Sequence, residues 1–151
     1  QTVRQHMEKT DDKNKWRELW LDSINELTSF EVQEKTWLRK VVITESPHWS
    51  YTEFICCYFN DLLYYDYPYF VKKGWISDQE YDTLKEWHNE LEQYQTPIKY
   101  NGNDKIILKD KNWLKILEKG MKTKQQLIEL VPEYEKKFLI GMDSYSEYLR
   151  E

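Results

Sequence analysis

The chain has 151 residues and a formal net charge of −5, with 32% charged residues, 16% aromatic residues, seven tryptophans and twelve tyrosines. That length suits one domain, which buries about two-thirds of its unfolded surface. The negative charge argues against non-specific binding to nucleic acid or to an anionic membrane. No run approaches the ~18 apolar residues of a membrane span, and the polar stretch Gln1–Asp12 lacks the apolar centre of a signal peptide.

Gln1–Thr10 reads as a flexible leader and 11–151 as a single helical domain. Asp11 or Asp12 can cap a helix running to Leu27, whose stripe of Trp16, Leu19, Trp20, Ser23, Ile24 and Leu27 has helical spacing. Ser29 can cap a second helix over Phe30–Val42, with Val32, Thr36, Trp37 and Val41 inward; one bent helix fits as well. A linker with Pro47 follows. Ser50 or Thr52 then starts the densest apolar run, in which Phe54, Ile55, Cys57, Tyr58, Phe59, Leu62, Leu63 and Tyr65 cover more than one face of a helix. Such a helix is expected at the centre of its bundle. Pro68 should end or bend it, at an elbow rich in tyrosine.

Ser77 and Glu80 form a capping box, with Ile76 placed as a staple against Tyr81. The helix Asp78–Tyr94 follows, with an apolar row of Tyr81, Leu84, Trp87, Leu91 and Tyr94 and acidic residues elsewhere. Over 98–108, Asn101-Gly102 is a hairpin signal between Ile98–Tyr100 and Lys105–Leu108, and an irregular loop fits the same residues. Asp110 can cap Asn112–Glu118, with Trp113, Leu114 and Leu117 inward and Gly120 ending it. Thr123 can cap Lys124–Val131, Pro132 fits a first helical turn, and Glu133–Leu139 and Ser144–Arg150 add helical pieces. The expected fold is mainly α: one bundle of five to seven helices.

Chemistry is sparse. The adjacent Cys56-Cys57 pair is a poor disulfide, because neighbouring helical side chains point about 100° apart. Two thiols on a buried helix suit a reducing compartment, so the cytoplasm is expected and no redox role. The histidines His6, His48 and His88 are scattered, so neither a metal site nor a cofactor is expected. A Cys–His nucleophile would need Cys56 or Cys57 beside His88. Glycine loops for phosphate are absent. Two alternatives remain: a hydrolase using paired carboxylates such as Glu53 and Asp61, and a nucleic-acid module using Lys105–Lys124 with Trp113 interleaved.

The run SYTEFICCYFNDLLYYDYPYFVKKGWISDQEYDTLKEWHNELEQY combines an S-x-x-E opening, a buried helix ending in FNDL and a GWISDQE helix start. It resembles bacterial immunity proteins of contact-dependent growth inhibition and polymorphic toxin systems, over about a third of the chain. The resemblance implies a cytoplasmic, non-catalytic antitoxin that binds the C-terminal domain of one cognate toxin, often a nuclease. A nuclease face attracts phosphate and is basic, so carboxylates would steer the encounter. The expected contact residues are therefore Asp61 and Asp66 with Tyr64, Tyr67 and Tyr69 at the elbow, and the stripe Asp82, Glu86 and Glu90. No direct contact with nucleic acid or membrane is expected.

Overall fold

The computed structural model describes residues 2–40 and 48–140, with side chains described from Asp12 onward. Helix α1, Thr2–Thr28, forms the spine; its helical backbone runs back through the stretch read as a leader. Trp16, Trp20, Leu21, Ile24 and Leu27 are its buried face, whereas Leu19 is 45% exposed. Ser29 breaks the helix as its spacing predicts. Its backbone is extended and its hydroxyl accepts the Val32 N–H, which caps α2, Phe30–Trp37. Arg39 then turns the chain with a φ of 54°. The expected inward Val41, the Pro47 linker and the helix Ser144–Arg150 lie outside the described residues.

Ser50 caps α3, Tyr51–Cys56. The helix then widens into a π turn, Cys57–Leu62, in which the Leu63 N–H donates to the Tyr58 carbonyl at 3.0 Å. Phe54, Tyr58 and Leu62 are buried, and Ile55 and Phe59 are half-buried. Pro68 does not end this helix. The chain has already left it, and Pro68 lies in the first turn of α4, Tyr67–Lys73, where a missing N–H leaves no bond unmade. Gly74, with φ 83°, closes α4: its N–H donates to Val71 and that of Trp75 to Phe70, the pattern that needs a left-handed residue.

The capping box of Ser77 and Glu80 opens α5, Asp78–Gln93, as read, with Leu84, Trp87 and Leu91 buried. The 98–108 segment contains no hairpin. Asn101 and Gly102 do form the tight turn their sequence signals, with φ of 41° and 79° and an Asn103 N–H to Tyr100 carbonyl bond of 2.7 Å. Beyond it, Asn103 caps a short helix, α6, Asp104–Leu108, because Ile107 and Leu108 are buried while Ile98 stands wholly exposed.

Helix α7, Lys111–Leu130, is continuous through Gly120 and Thr123, which were expected to divide it. Gly120 is instead the point where three helices meet. A Cβ there would lie 2.7 Å from Trp87 Nε1 on α5 and 2.8 Å from Thr28 Cγ2 on α1. Leu114 is 39% exposed and Ile116 takes its inward place. Pro132 precedes a 3₁₀ turn, Glu133–Glu135, and a last helix, α8, Lys137–Ile140. Among the described residues the protein is thus a mainly α, single-domain bundle of eight α-helical segments with no strand.

Tryptophan N–H groups tie the elements together. Trp16 donates to the Leu62 carbonyl at the end of the π turn, and Trp113 donates to Gln33 Oε1, both at 3.0 Å. Gln33 in turn donates to the Glu26 carbonyl at 2.9 Å, so α7, α2 and α1 share one chain of bonds.

The strongest tie is ionic. Arg17 on α1 is buried, and so are both of its carboxylate partners. Its Nη1 and Nη2 donate to Glu80 at 3.0 and 2.7 Å, its Nε and Nη2 donate to Glu135 at 2.9 and 2.8 Å, and Nη1 also donates to the Trp75 carbonyl at 2.7 Å. Burial opposes the guanidinium charge, but the bonds and charges of Glu80 and Glu135 together outweigh it and push its pKa up. Removing one partner of such a group strands the others. Arg17→Met is expected to destabilise the fold by about 3–5 kcal/mol, read from the urea midpoint, and adding Glu80→Gln and Glu135→Gln should recover part of that loss. Gly120→Ala should cost about 1–3 kcal/mol through overpacking, with a change in Trp87 fluorescence.

Candidate functional site

Between the π turn and α4 the chain makes the tyrosine elbow. Tyr64, Tyr65 and Tyr69 are 49%, 58% and 38% exposed and form one cluster, with ring centroids 5.4 Å (Tyr64–Tyr65), 4.5 Å (Tyr65–Tyr69) and 6.3 Å (Tyr64–Tyr69) apart. Buried Phe70 supports the cluster from beneath, 5.2 Å from Tyr64 and 5.1 Å from Tyr69. Asp61 and Asp66 are exposed beside it. Asp66 stands at the N-cap of α4 without a side-chain cap bond, so its carboxylate is left to the surface. Lys73 brings a positive charge to the far edge, 5.6 Å from the Tyr69 ring.

Tyr67, expected among the contact residues, is not on this surface. It is 1% exposed and belongs to a buried hydrogen-bonded chain. Trp20 Nε1, Tyr67 Oη, Tyr58 Oη and His88 Nδ1 follow one another at 3.0, 2.6 and 2.9 Å. Tyr67 accepts from Trp20, because an indole N–H can only donate. Burial pushes both phenols well above their ordinary range and holds the His88 pKa down to about 4. The same burial keeps every member in the protonation state that the chain requires.

His88 also lines a groove of about 530 Å³ between the elbow and α5, together with Asn60, Tyr64, Tyr65, Asp66 and Glu92. The groove is open and is lined by tyrosine rings and by the carboxylates of Asp66 and Glu92. Sequence reasoning missed its α5 side. His88 and Glu92 lie four residues apart on α5, and nothing local says that the elbow packs over them.

The acidic stripe lies on another flank. Asp82, Glu86 and Glu90 stand roughly 80–160° away from His88 and Glu92 round α5, at about 100° per residue. All three are exposed. Lys119 of α7 donates to Glu86 at 2.7 Å and also to Glu90, and Lys85 donates to Asp82 at 3.2 Å. The bonds to Lys119 lower the pKa of Glu86. The structure therefore does not join the stripe and the elbow into one surface, and it sets a cation against each carboxylate of the stripe.

The carboxylates considered for hydrolysis also stand apart. Glu53 accepts from the Trp49 N–H and the Ser50 hydroxyl at the start of α3, both at 3.1 Å, while Asp61 lies eight residues on, about 12 Å at 1.5 Å per residue. Trp113 is wholly buried and cannot stack on a base. Among the lysines near it, Lys119 is ion-paired and Lys124 donates to Asn25 at 3.1 Å. His88 Nδ1 is engaged by Tyr58 Oη at 2.9 Å, and His48 Nδ1 is 3.3 Å from both oxygens of Glu26. Among the described residues no three His, Cys, Asp or Glu side chains converge as a metal-binding group. No helix there is long and apolar enough to cross a membrane. Comparison with known protein families, curated proteins and solved structures gives no match to this chain.

The buried chain carries a pH signature. His88 has a folded pKa near 4 against an ordinary 6.5, so between these values the unfolded state binds more protons than the folded one. Its contribution to stability is complete above pH 6.5 and is lost as pH falls through 4. Urea titrations across this window should show a slope that is reduced in His88→Gln, whose amide can still bond to Tyr58. NMR should show the His88 ring staying neutral below pH 6.

Proposed function

We propose that this protein acts by binding and occluding a partner, as an immunity protein does: it covers the basic active face of a toxin domain, a nuclease, and keeps substrate out. The observation that carries this reading is the cluster of Tyr64, Tyr65 and Tyr69. Three large rings stand on a rigid support, with Asp61, Asp66 and Glu92 around them. Aromatic rings held in place supply contact area at low entropy cost, and such residues dominate binding energy where they are buried against a partner. The surrounding carboxylates add what a basic face needs for fast, oriented encounter.

On this reading Tyr65, Glu92 and the groove join Asp61, Tyr64, Asp66 and Tyr69 in the contact surface, and buried Tyr67 supports it. Asp82, Glu86 and Glu90 serve as a secondary field, weakened by Lys119. Catalysis has no part in this reading, because occlusion needs no reacting group.

The test begins from the gene: the predicted partner is the variable C-terminal domain of a large secreted protein encoded immediately upstream. Titration of that domain should show stoichiometric binding and loss of its nuclease activity. Ala replacements at Tyr64, Tyr65 and Tyr69 should each weaken binding by about 30-fold or more if these are hot spots of ≥ 2 kcal/mol. Glu86→Gln with Glu90→Gln should alter mainly the association rate and its salt dependence. Undiminished nuclease activity at saturating protein would overturn the reading. Unchanged affinity in all three tyrosine variants would remove this surface from it.

A further inference from the structure

The groove beside the elbow carries negative charge that nothing opposes. Its two carboxylates, Asp66 and Glu92, are exposed. Neither is ion-paired among the described residues, whereas each carboxylate of the α5 stripe has a lysine against it. Among the described residues, those that line the groove include no lysine or arginine. Its one imidazole, His88, stays neutral at pH 7. That ring is packed against Phe59 and Tyr67, with centroids 5.4 and 4.7 Å away, and burial holds its pKa down to about 4. A cation entering the groove therefore meets two carboxylates and displaces no resident cation.

The walls select the kind of cation. Ile55, Phe59, Leu63 and Leu91 line the groove alongside the rings of Tyr64 and Tyr65, which are 49% and 58% exposed. A compact, strongly hydrated ammonium gains little from such walls. A guanidinium is planar and more weakly hydrated, so it stacks on a phenol ring while its N–H fork donates to a carboxylate. Its apolar stem covers the aliphatic wall, and the Asn60 side chain adds an acceptor. The volume of about 530 Å³ lies in the range of pockets that enclose drug-sized ligands, which leaves room for a whole side chain and part of its backbone. We propose, resting on the binding role given above to this surface, that the groove is the receptor for an arginine side chain of the protein partner, its guanidinium held by the rings of Tyr64 and Tyr65 and by the carboxylates of Asp66 and Glu92.

The test needs no partner. The isotope-labelled protein is titrated by amide NMR with N-acetyl-arginine methylamide, with its lysine analogue, and with its citrulline analogue, which keeps arginine's shape without the charge. Arginine should give saturable shifts centred on Asn60, Tyr64, Tyr65 and His88. Lysine should bind about threefold more weakly or worse, and citrulline should give no saturable shift. Glu92→Gln, Asp66→Asn and Tyr65→Leu should each weaken arginine binding about threefold or more, the scale of an exposed cation–π or ion-pair contact. Glu118→Gln, exposed on α7, removes the same charge and should change nothing. Absence of saturable shifts with arginine would overturn the proposal. So would equal binding of lysine or citrulline, or an equal loss in Glu118→Gln. A toxin domain that binds the elbow while the arginine probe leaves the groove unshifted removes the arginine receptor and keeps the occluding role. A probe that fills the groove when no such domain is neutralised does the reverse.

Discussion

One guanidinium holds three distant parts of the chain in register. Arg17 projects from the spine helix into the interior and meets Glu80, at the start of α5, and Glu135, in the 3₁₀ turn near the end of the described chain. Glu80 is committed twice. Its Oε1 accepts the Ser77 N–H at 2.9 Å, which completes the capping box, and the same carboxylate accepts from Arg17. A local helix start and a long-range lock therefore share one side chain. Two carboxylates around one buried cation leave an excess of negative charge, which is tolerable because each oxygen has donors aimed at it. The arrangement sets the direction in which α5 leaves the spine, and α5 forms one wall of the groove.

The many aromatic residues divide into two populations by what passes over them. Trp16, Trp20 and Trp113 are inside and use their N–H groups as fixed donors, to a carbonyl, a phenol and an amide oxygen. Tyr58 and Tyr67 are inside and link Trp20 to His88 through hydrogen bonds. Tyr64, Tyr65 and Tyr69 belong to the same run of sequence, yet they stand outside on a floor made by Phe70. The π turn contributes to this split. It lets Tyr58 and Leu62 both point inward, and the chain then leaves the helix at Leu63, before the exposed pair begins.

Charge is arranged to similar effect. The acidic face of α5 that dominates the sequence has Lys119 against Glu86 and Glu90, so its outward field is reduced. The carboxylates of Asp61, Asp66 and Glu92, fewer and more scattered in the sequence, border the exposed rings. In the proposed reading, these exposed rings and carboxylates are what would meet a basic protein partner.

By itself, the sequence determined what depends on a residue's near neighbours. Ser29, Ser50 and Ser77 cap helices because a hydroxyl reaches an N–H two or three residues on, whatever lies elsewhere. The inward rows of α1 and α5 follow from spacing, and the Asn101-Gly102 turn from the ease of positive φ at those two residues. Only the tertiary structure decided the rest. Gly120 looked like a helix end and is a contact point, because the reason for a missing side chain lies on α1 and α5. Pro68 looked like a terminator and is an initiator, because packing had already ended the helix before it. Tyr67 is inside and Tyr69 outside, two residues apart, because Trp20 and Tyr58 cover the first and nothing described covers the second. The meeting of Arg17 with Glu80 and Glu135, and of His48 with Glu26, joins residues far apart in the chain. Burial and ion pairing depend on which elements come together in space, and no local pattern of residues encodes that.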